Sequence, residues 1–268
     1  MATALDTGLT GNRALVTGGA RGIGLAIATA LAGEGVHLAI ADLDPDPEAL
    51  AGLDRISSGV VAIRADVGVE AEAVRMVKEA EAGLGGIDLF VSNAGAAWHE
   101  PVTRITGEAF YRTLNTNLAG CVWGARETAR RMTARRQGAM LIVGSTVRFC
   151  PAYREGAYRA AKTGLKAYME TLALELAPFG IRVNMLTPGH YPTRINAGLT
   201  EEKAQRLRRE IPLRRFGSTD ELGPAALFLL SNRLSSYITG AELVVDGGLA
   251  LRALAMHSED EIVGWNSE

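Results

Sequence analysis

Seven short apolar runs set the limits on what this chain can become. Residues 13–17, 36–41, 60–64, 87–92, 139–143, 181–186 and 242–245 are rich in Val, Ile, Leu and Ala and read as strands. Helical stretches lie between them at 22–32, 47–56, 70–84, around 118–136, and at 156–177. A strand that is apolar almost throughout is buried on both faces, and a helix between successive strands makes the sheet parallel. The pattern predicts an α/β fold, a doubly wound parallel sheet of seven strands with helices on both faces. No linker, repeat or composition break interrupts the sequence, so one domain is expected over residues 1–268.

Composition narrows the function classes. Hydrophobic residues make up 47% of the chain, which suits a buried core and argues against disorder. A formal net charge of −2 gives no electrostatic case for nucleic acid or an anionic membrane. No apolar run approaches the length of a membrane span. Residues 1–12 lack a basic stretch followed by an apolar core, so no secretory signal is expected. Cys121 and Cys150 cannot form a disulfide framework; they read as small buried residues and fit a reducing cytoplasm. His99 and His190 have no accompanying carboxylate or cysteine cluster, so no metal is expected.

Directly after the first strand comes Thr17-Gly18-Gly19-Ala20-Arg21-Gly22-Ile23-Gly24. Glycines there let the backbone turn tightly and approach a pyrophosphate, which the N-terminus of the following helix attracts. A bare turn would use the same residues, but the placement between a strong strand and a strong helix favours dinucleotide binding and a Rossmann fold. On such a sheet the ligand sits at the carboxyl ends of the strands. Asp42 ends the second strand. A carboxylate at that place accepts hydrogen bonds from the adenosine ribose and repels a 2′-phosphate, so NAD is the preferred cofactor. Arg21 could pair with that phosphate and keeps NADP as the alternative. Asp66, at the end of the third strand, suits the adenine amine or a helix N-cap. Asn93-Ala94-Gly95 ends the fourth strand with small residues that let backbone pack against a cofactor, or simply turn.

Ser145, Tyr158 and Lys162 have the spacing of a proton-transfer device. A Tyr with a Lys four residues on in a helix puts both side chains on one face. Free tyrosine has a pKa of about 10, too high for a useful base at neutral pH. A nearby ammonium favours the phenolate, so Lys162 is expected to lower the pKa of Tyr158.

Taken together, these motifs resemble the short-chain dehydrogenase/reductase family in its short single-domain branch. The resemblance runs from about residue 9 to residue 249 and rests on ordered, spaced elements. They are the glycine loop, Asp66-Val67, Asn93-Ala94-Gly95, Asn117, Ser145, Tyr158-x-x-x-Lys162, Pro188-Gly189 and Asp246-Gly247-Gly248. The longer epimerase-type branch needs a glycine where Arg21 stands, and the enoyl-reductase pattern needs a lysine where Leu165 stands.

The resemblance implies the following roles. Tyr158 is the acid/base, and Lys162 also hydrogen-bonds the nicotinamide ribose. Ser145 holds the reacting oxygen, and Asn117 binds a water linking Lys162 to solvent. Gly18, Arg21, Gly22, Ile23, Gly24, Asp42, Asp66, Val67, Asn93, Ala94, Gly95, Pro188 and Gly189 line the cofactor, with Thr193 at the nicotinamide carboxamide. The family also implies a substrate lid around 190–215, containing an amphipathic helix within 200–215, and assembly as a homotetramer or homodimer. The tail 249–268 could reach a neighbouring subunit or fray.

Substrate residues are expected among Trp98, Ser145, Arg148, Tyr158, His190 and Tyr191, with Arg154 and Arg194 flanking two of the loops. Arginines bind carboxylates or sulfonates bidentately. The expected function is NAD-dependent oxidation of a polar or anionic secondary alcohol such as a sugar, sugar acid or hydroxy acid. Two alternatives stand beside it: an NADPH-dependent 3-oxoacyl-(acyl-carrier-protein) reductase, for which Arg21 and the basic lid speak, and a non-enzymatic dinucleotide-sensing regulator.

Overall fold

The computed structural model describes residues 6–57, 59–192 and 200–251. Its strands are β1 (Arg13–Thr17), β2 (His37–Asp42), β3 (Val60–Arg64), β4 (Leu89–Ser92), β5 (Gly138–Val143), β6 (Ile181–Pro188) and β7 (Glu242–Val245). The helices are α1 (Gly22–Gly33), α2 (Pro47–Asp54), α3 (Glu70–Leu84), α4 (Gly107–Leu114), α5 (Gly120–Arg135), α6 (Gly156–Leu176), α7 (Glu201–Glu210) and α8 (Leu222–Leu230). The strands form one parallel sheet in the order β3-β2-β1-β4-β5-β6-β7. That is the doubly wound Rossmann arrangement, with its switch point between β1 and β4.

Side-chain alternation sends each strand into two cores. Leu15, Phe90, Met140 and Ile142 pack with Met76 and Val77 of α3, Ala125 and Met132 of α5, and Leu165 and Met169 of α6. Ala14, Val16, Val91 and Leu141 pack on the other face with Ile27 and Leu31 of α1, Leu53 of α2, and Ala226 and Leu229 of α8. Burying one such Leu, Ile or Phe contributes about 1.5–3 kcal/mol, so the two layers fix the strand register. The carboxyl ends of all seven strands therefore lie along one edge of the sheet, where the sequence motifs fall.

Two helices go beyond the sequence expectation. The long helix around 118–136 begins earlier as α4, capped by Thr106, and passes through a π-helical turn at Asn115–Ala119 into α5. α8 is Leu-Gly-Pro-Ala-Ala-Leu-Phe-Leu-Leu; Leu222, Ala226, Leu229 and Leu230 are buried against α1 and the sheet, while Pro224 and Phe228 stay exposed. The lid segment contains α7, capped by the Thr200 hydroxyl. Thr193, Arg194 and the tail beyond residue 251 lie outside the described residues.

Candidate active site

The crevice at the switch point is built from glycine and one asparagine. Gly18 has φ +62°, and a Cβ there would meet Ala94 Cα and Asn93 Nδ2, both at 2.9 Å. At Gly24 a Cβ would lie 2.1 Å from the Gly18 carbonyl oxygen. Asn93 Nδ2 donates to the carbonyls of Thr17 and Gly18, each at 3.0 Å. Thr17 Oγ1 accepts from the backbone N–H groups of Asn93 and Ala94. The ends of β1 and β4 are thus laced together beneath the N-terminus of α1, whose first turn carries no acidic residue. Free N–H groups and the helix dipole there suit a pyrophosphate, so the cradle fits a dinucleotide.

Beside it, Asp42 accepts from Ala20 N at 3.3 Å and Asp44 N at 3.2 Å. Arg21 turns into these acids, 3.3 Å from Asp44 and 3.9 Å from Asp42, and donates to the Asp44 carbonyl. Asp66 Oδ1 accepts from Gly68 N at 2.8 Å, and the N-cap of α3 is Val69, so Asp66 shapes its own turn and does not cap the helix. Gly18, Arg21, Gly22, Ile23, Asp42, Asp66, Val67, Asn93, Ala94, Gly95, Pro188 and Gly189 line one cleft of about 1930 Å³. That exceeds the 300–1,000 Å³ of an ordinary small-molecule site and leaves room for a substrate beside a dinucleotide. Gly24 supports the cleft from behind the turn, and Gly189 packs on Asp246 where a Cβ would lie 2.7 Å from the Asp246 Cα.

Ser145, Tyr158 and Lys162 line the same cleft. Ser145 follows β5, accepts from Val147 N at 3.3 Å, and lies close enough to the Tyr158 phenol to favour its ionised form. Arg159 holds the loop beyond by donating to the carbonyls of Val147 and Arg148. Lys162 is 4% exposed, donates from Nζ to the Val143 carbonyl at 3.0 Å, and sits 5.8 Å from the Tyr158 ring centre. Burial pulls the Lys162 ammonium down to about 8. The phenol does not behave as the sequence suggests. Burial pushes Tyr158 up to about 12, outweighing Ser145, and the Glu155 carboxylate adds to the rise. Lys162 does not offset this in the protein alone: its ammonium donates to the Val143 carbonyl, and burial disfavours its charged form.

Asn117 lies in the π-helical turn and is 2% exposed. Its amide donates to the carbonyls of Ala96, at 2.7 Å, and Thr113, at 3.0 Å, and accepts from Ala96 N at 3.2 Å. The side chain clamps the loop after Gly95 instead of facing the cleft, which sets Gly95 near Asn117 Oδ1 and Lys162 Nζ.

The expected substrate residues divide. Trp98 and His190 line the cleft, and burial lowers the pKa of His190. Arg148 does not reach it: its guanidinium pairs with Glu242, which also accepts from Thr187, and stacks 4.0 Å over the Phe149 ring. Tyr191 touches the cleft wall but is 5% exposed, and its hydroxyl donates to the Val245 carbonyl at 2.9 Å, so it brings no polar group to a substrate. Arg154 braces the loop, with φ +66° and a hydrogen bond to the His99 carbonyl. Polar groups not expected at the substrate line the cleft as well: Glu155, Arg112 and Arg209, the last belonging to the basic lid. Glu155 was legible as the residue three before Tyr158; Arg112 was hidden with α4.

The enoyl-(acyl carrier protein) reductase family model matches residues 18–250. The 3-oxoacyl-[acyl-carrier-protein] reductase of Bos taurus is 36% identical over 236 residues, covering 88% of this chain and 97% of its own. The L-rhamnose 1-dehydrogenase (NAD(P)(+)) of Azotobacter vinelandii is 34% identical over 245 residues, covering 88% and 95%. The crystal structure of a short-chain type dehydrogenase/reductase from Mycobacterium marinum superposes with a TM-score of 0.84 at 31% identity, covering 91% of this chain and 97% of that one. This chain belongs to the short-chain dehydrogenase/reductase family. It is an oxidoreductase of CH–OH groups that uses NAD or NADP and acts on small molecules. That sets aside the non-enzymatic reading. Among the described residues no helix is long and apolar enough to cross a membrane, and no cluster of His, Cys, Asp or Glu could hold a metal ion.

Proposed function

We propose that the enzyme is an NAD-preferring dehydrogenase of a polar, hydroxylated substrate of the sugar, sugar acid or hydroxy acid type. The observation that carries the reaction is Ser145, Tyr158 and Lys162 lining one cleft with the glycine loop, Lys162 one turn beyond Tyr158 along α6. A bound nicotinamide supplies the hydride acceptor in oxidation and the donor in reduction. Tyr158 Oη would take the substrate hydroxyl proton in oxidation and return it in reduction; with its pKa raised in the protein alone, it would need the added positive charge of a bound oxidised nicotinamide to favour the phenolate. Ser145 Oγ holds the reacting oxygen and steadies its charge. Lys162 Nζ, which donates to the Val143 carbonyl, would also hold the nicotinamide ribose. Asn117 would position Gly95 against the cofactor, and Gly18–Gly24 at the N-terminus of α1 would hold the pyrophosphate.

Asp42 and Asp44 support NAD. Two carboxylates at the end of β2 oppose a 2′-phosphate, and Arg21, the one cation of the glycine loop, is already engaged by both. Polarity around Trp98, Arg112, Glu155, His190 and Arg209 supports a hydroxylated substrate. The 3-oxoacyl-(acyl-carrier-protein) reductase reading draws on the relatives of that name and on the exposed arginines of α7, which could dock an acidic carrier. Asp42 speaks against its NADPH. A single domain over residues 1–268 with α7 as part of the lid, a cytoplasmic location and a homotetramer or homodimer complete the reading.

The test is a cofactor-resolved screen of sugars, sugar acids, hydroxy acids and an acyl ketone, run with the wild type and Asp42→Asn. We expect turnover of a polyol with NAD, and a rise of about tenfold or more in the NADP to NAD ratio of kcat/KM in the variant. Turnover confined to NADPH and the acyl ketone would replace this reading with the reductase.

A further inference from the structure

One ionisable group of the cleft has no part in the proton transfer described above. Glu155 is the N-cap residue of α6, and its side chain accepts no capping hydrogen bond. The carboxylate is 20% exposed, lines the cleft, and among the described residues has no lysine or arginine partner. It faces His99 Nδ1 at 3.4 Å. The two loops that carry this pair are stitched together: Glu100 N donates to the Arg154 carbonyl, and the Arg154 guanidinium to the His99 carbonyl. Arg154 takes a left-handed backbone, φ +66°, to allow it. Glu155 and Tyr158 are three residues apart at the start of α6, both line the cleft, and the carboxylate is near enough for its charge to act on the phenol.

A carboxylate in that place disfavours the phenolate the reaction needs, and its charge is felt at Tyr158. Burial in turn holds its own proton more tightly than usual. Such a group is tolerated when the substrate repays it with donors. A carboxylate accepts hydrogen bonds from two hydroxyls at once, donates none when ionised, and repels another carboxylate. We infer that Glu155, held by His99, is a specificity-determining residue that binds a hydroxyl on the carbon next to the reacting carbinol. The substrate is then a vicinal diol, and 2-hydroxy acids, which place a carboxylate there, are rejected. Trp98, adjacent to His99, carries Arg112 at 4.5 Å from its ring centre. No carboxylate pairs with Arg112 among the described residues, so any acid group of the substrate belongs at that far end. This rests on the proposed polar-substrate reading and narrows it to sugars and distal sugar acids.

The experiment compares, with NAD, a cyclic vicinal diol, the matching monoalcohol and a 2-hydroxy acid, using wild type, Glu155→Gln and Glu155→Asp. Wild type is expected to prefer the diol over the monoalcohol by at least about tenfold in kcat/KM, the worth of a hydrogen bond to a charged group, and to ignore the hydroxy acid. In Glu155→Gln the diol to monoalcohol ratio falls by about tenfold or more, mainly through KM, and the aspartate recovers part of it. A preserved ratio in Glu155→Gln, or a wild type that turns over the 2-hydroxy acid as well as the diol, overturns the inference while leaving the polar-substrate reading intact. Wild-type turnover confined to apolar alcohols overturns both. The wild-type arm decides even where a variant fails to fold.

Discussion

Tyr158 and Lys162 stand on one face of α6 with their proton affinities pulled in opposite directions by the same cause. Burial raises the phenol to about 12 and lowers the ammonium to about 8. The lysine shift has a consequence for stability. Between pH 8 and 10.5 the native state binds fewer protons at Lys162 than the unfolded chain, so stability rises with pH across that window. The burial penalty is absent above it, grows as pH falls through it, and is fully present below pH 8, on the order of 3 kcal/mol. Lys162→Met removes the charge and loses one hydrogen bond to Val143. Its melting temperature relative to wild type is expected to be higher at pH 7 than at pH 9.5. A difference that does not change with pH would mean that Lys162 is solvated in the native state. The positions of both residues were legible from spacing alone. The direction of the tyrosine shift was not, because desolvation depends on what the whole fold packs around the phenol.

At the scale of elements, what the sequence hides is where one helix becomes another. The turn at Asn115–Ala119 adds a residue to the helical repeat, so α4 and α5 present different faces than one continuous helix would. Arg112 was therefore missed, while Asn117 was recognised by type. α8 escaped notice because nine apolar residues with a proline near the start show no period. Arg148 and Tyr191 fell on the right loops, but a loop sequence does not say which side chain turns toward Glu242 or Val245. The glycine loop was plain because its φ angles and close contacts admit no side chain. The π-turn makes a sharp demand on Gly95, where a Cβ would lie 2.7 Å from Asn117 Oδ1 and 3.6 Å from Lys162 Nζ. Gly95→Ala is expected to push the Ala94–Ala96 loop away from the turn and lower kcat/KM by about a hundredfold, the usual cost of an ångström-scale misplacement. Circular dichroism should remain native. Wild-type turnover would show that the asparagine clamp yields freely.

Across the whole molecule, the sheet separates holding from reacting. The carboxyl ends of the strands bear the cleft, and the opposite ends carry polar ties between layers. Arg13 grips Asp88 with Nε and Nη2, each at 2.7 Å, at the start of β1 and just before β4. Arg182, second in β6, is the larger tie. It is buried and faces no carboxylate among the described residues; instead it donates to the carbonyls of Leu229, Leu230 and Ile238, to Ser235 Oγ and to Asn232 Oδ1. Two of those carbonyls close α8, where the helix dipole is negative, so the guanidinium compensates the burial that lowers its pKa. Arg182→Leu fills the space but strands several buried carbonyls, at a cost of about 3 kcal/mol. For a chain of this size that corresponds to a fall of roughly 6–12 °C in melting temperature. Because the hub lies at the far end of β6 from Pro188 and Gly189, KM for NAD at 25 °C should be unchanged within about twofold. A large rise in KM at a temperature where the variant is fully folded would show that α8 transmits strain along β6 to the cofactor edge, and that the two ends of the sheet are not independent.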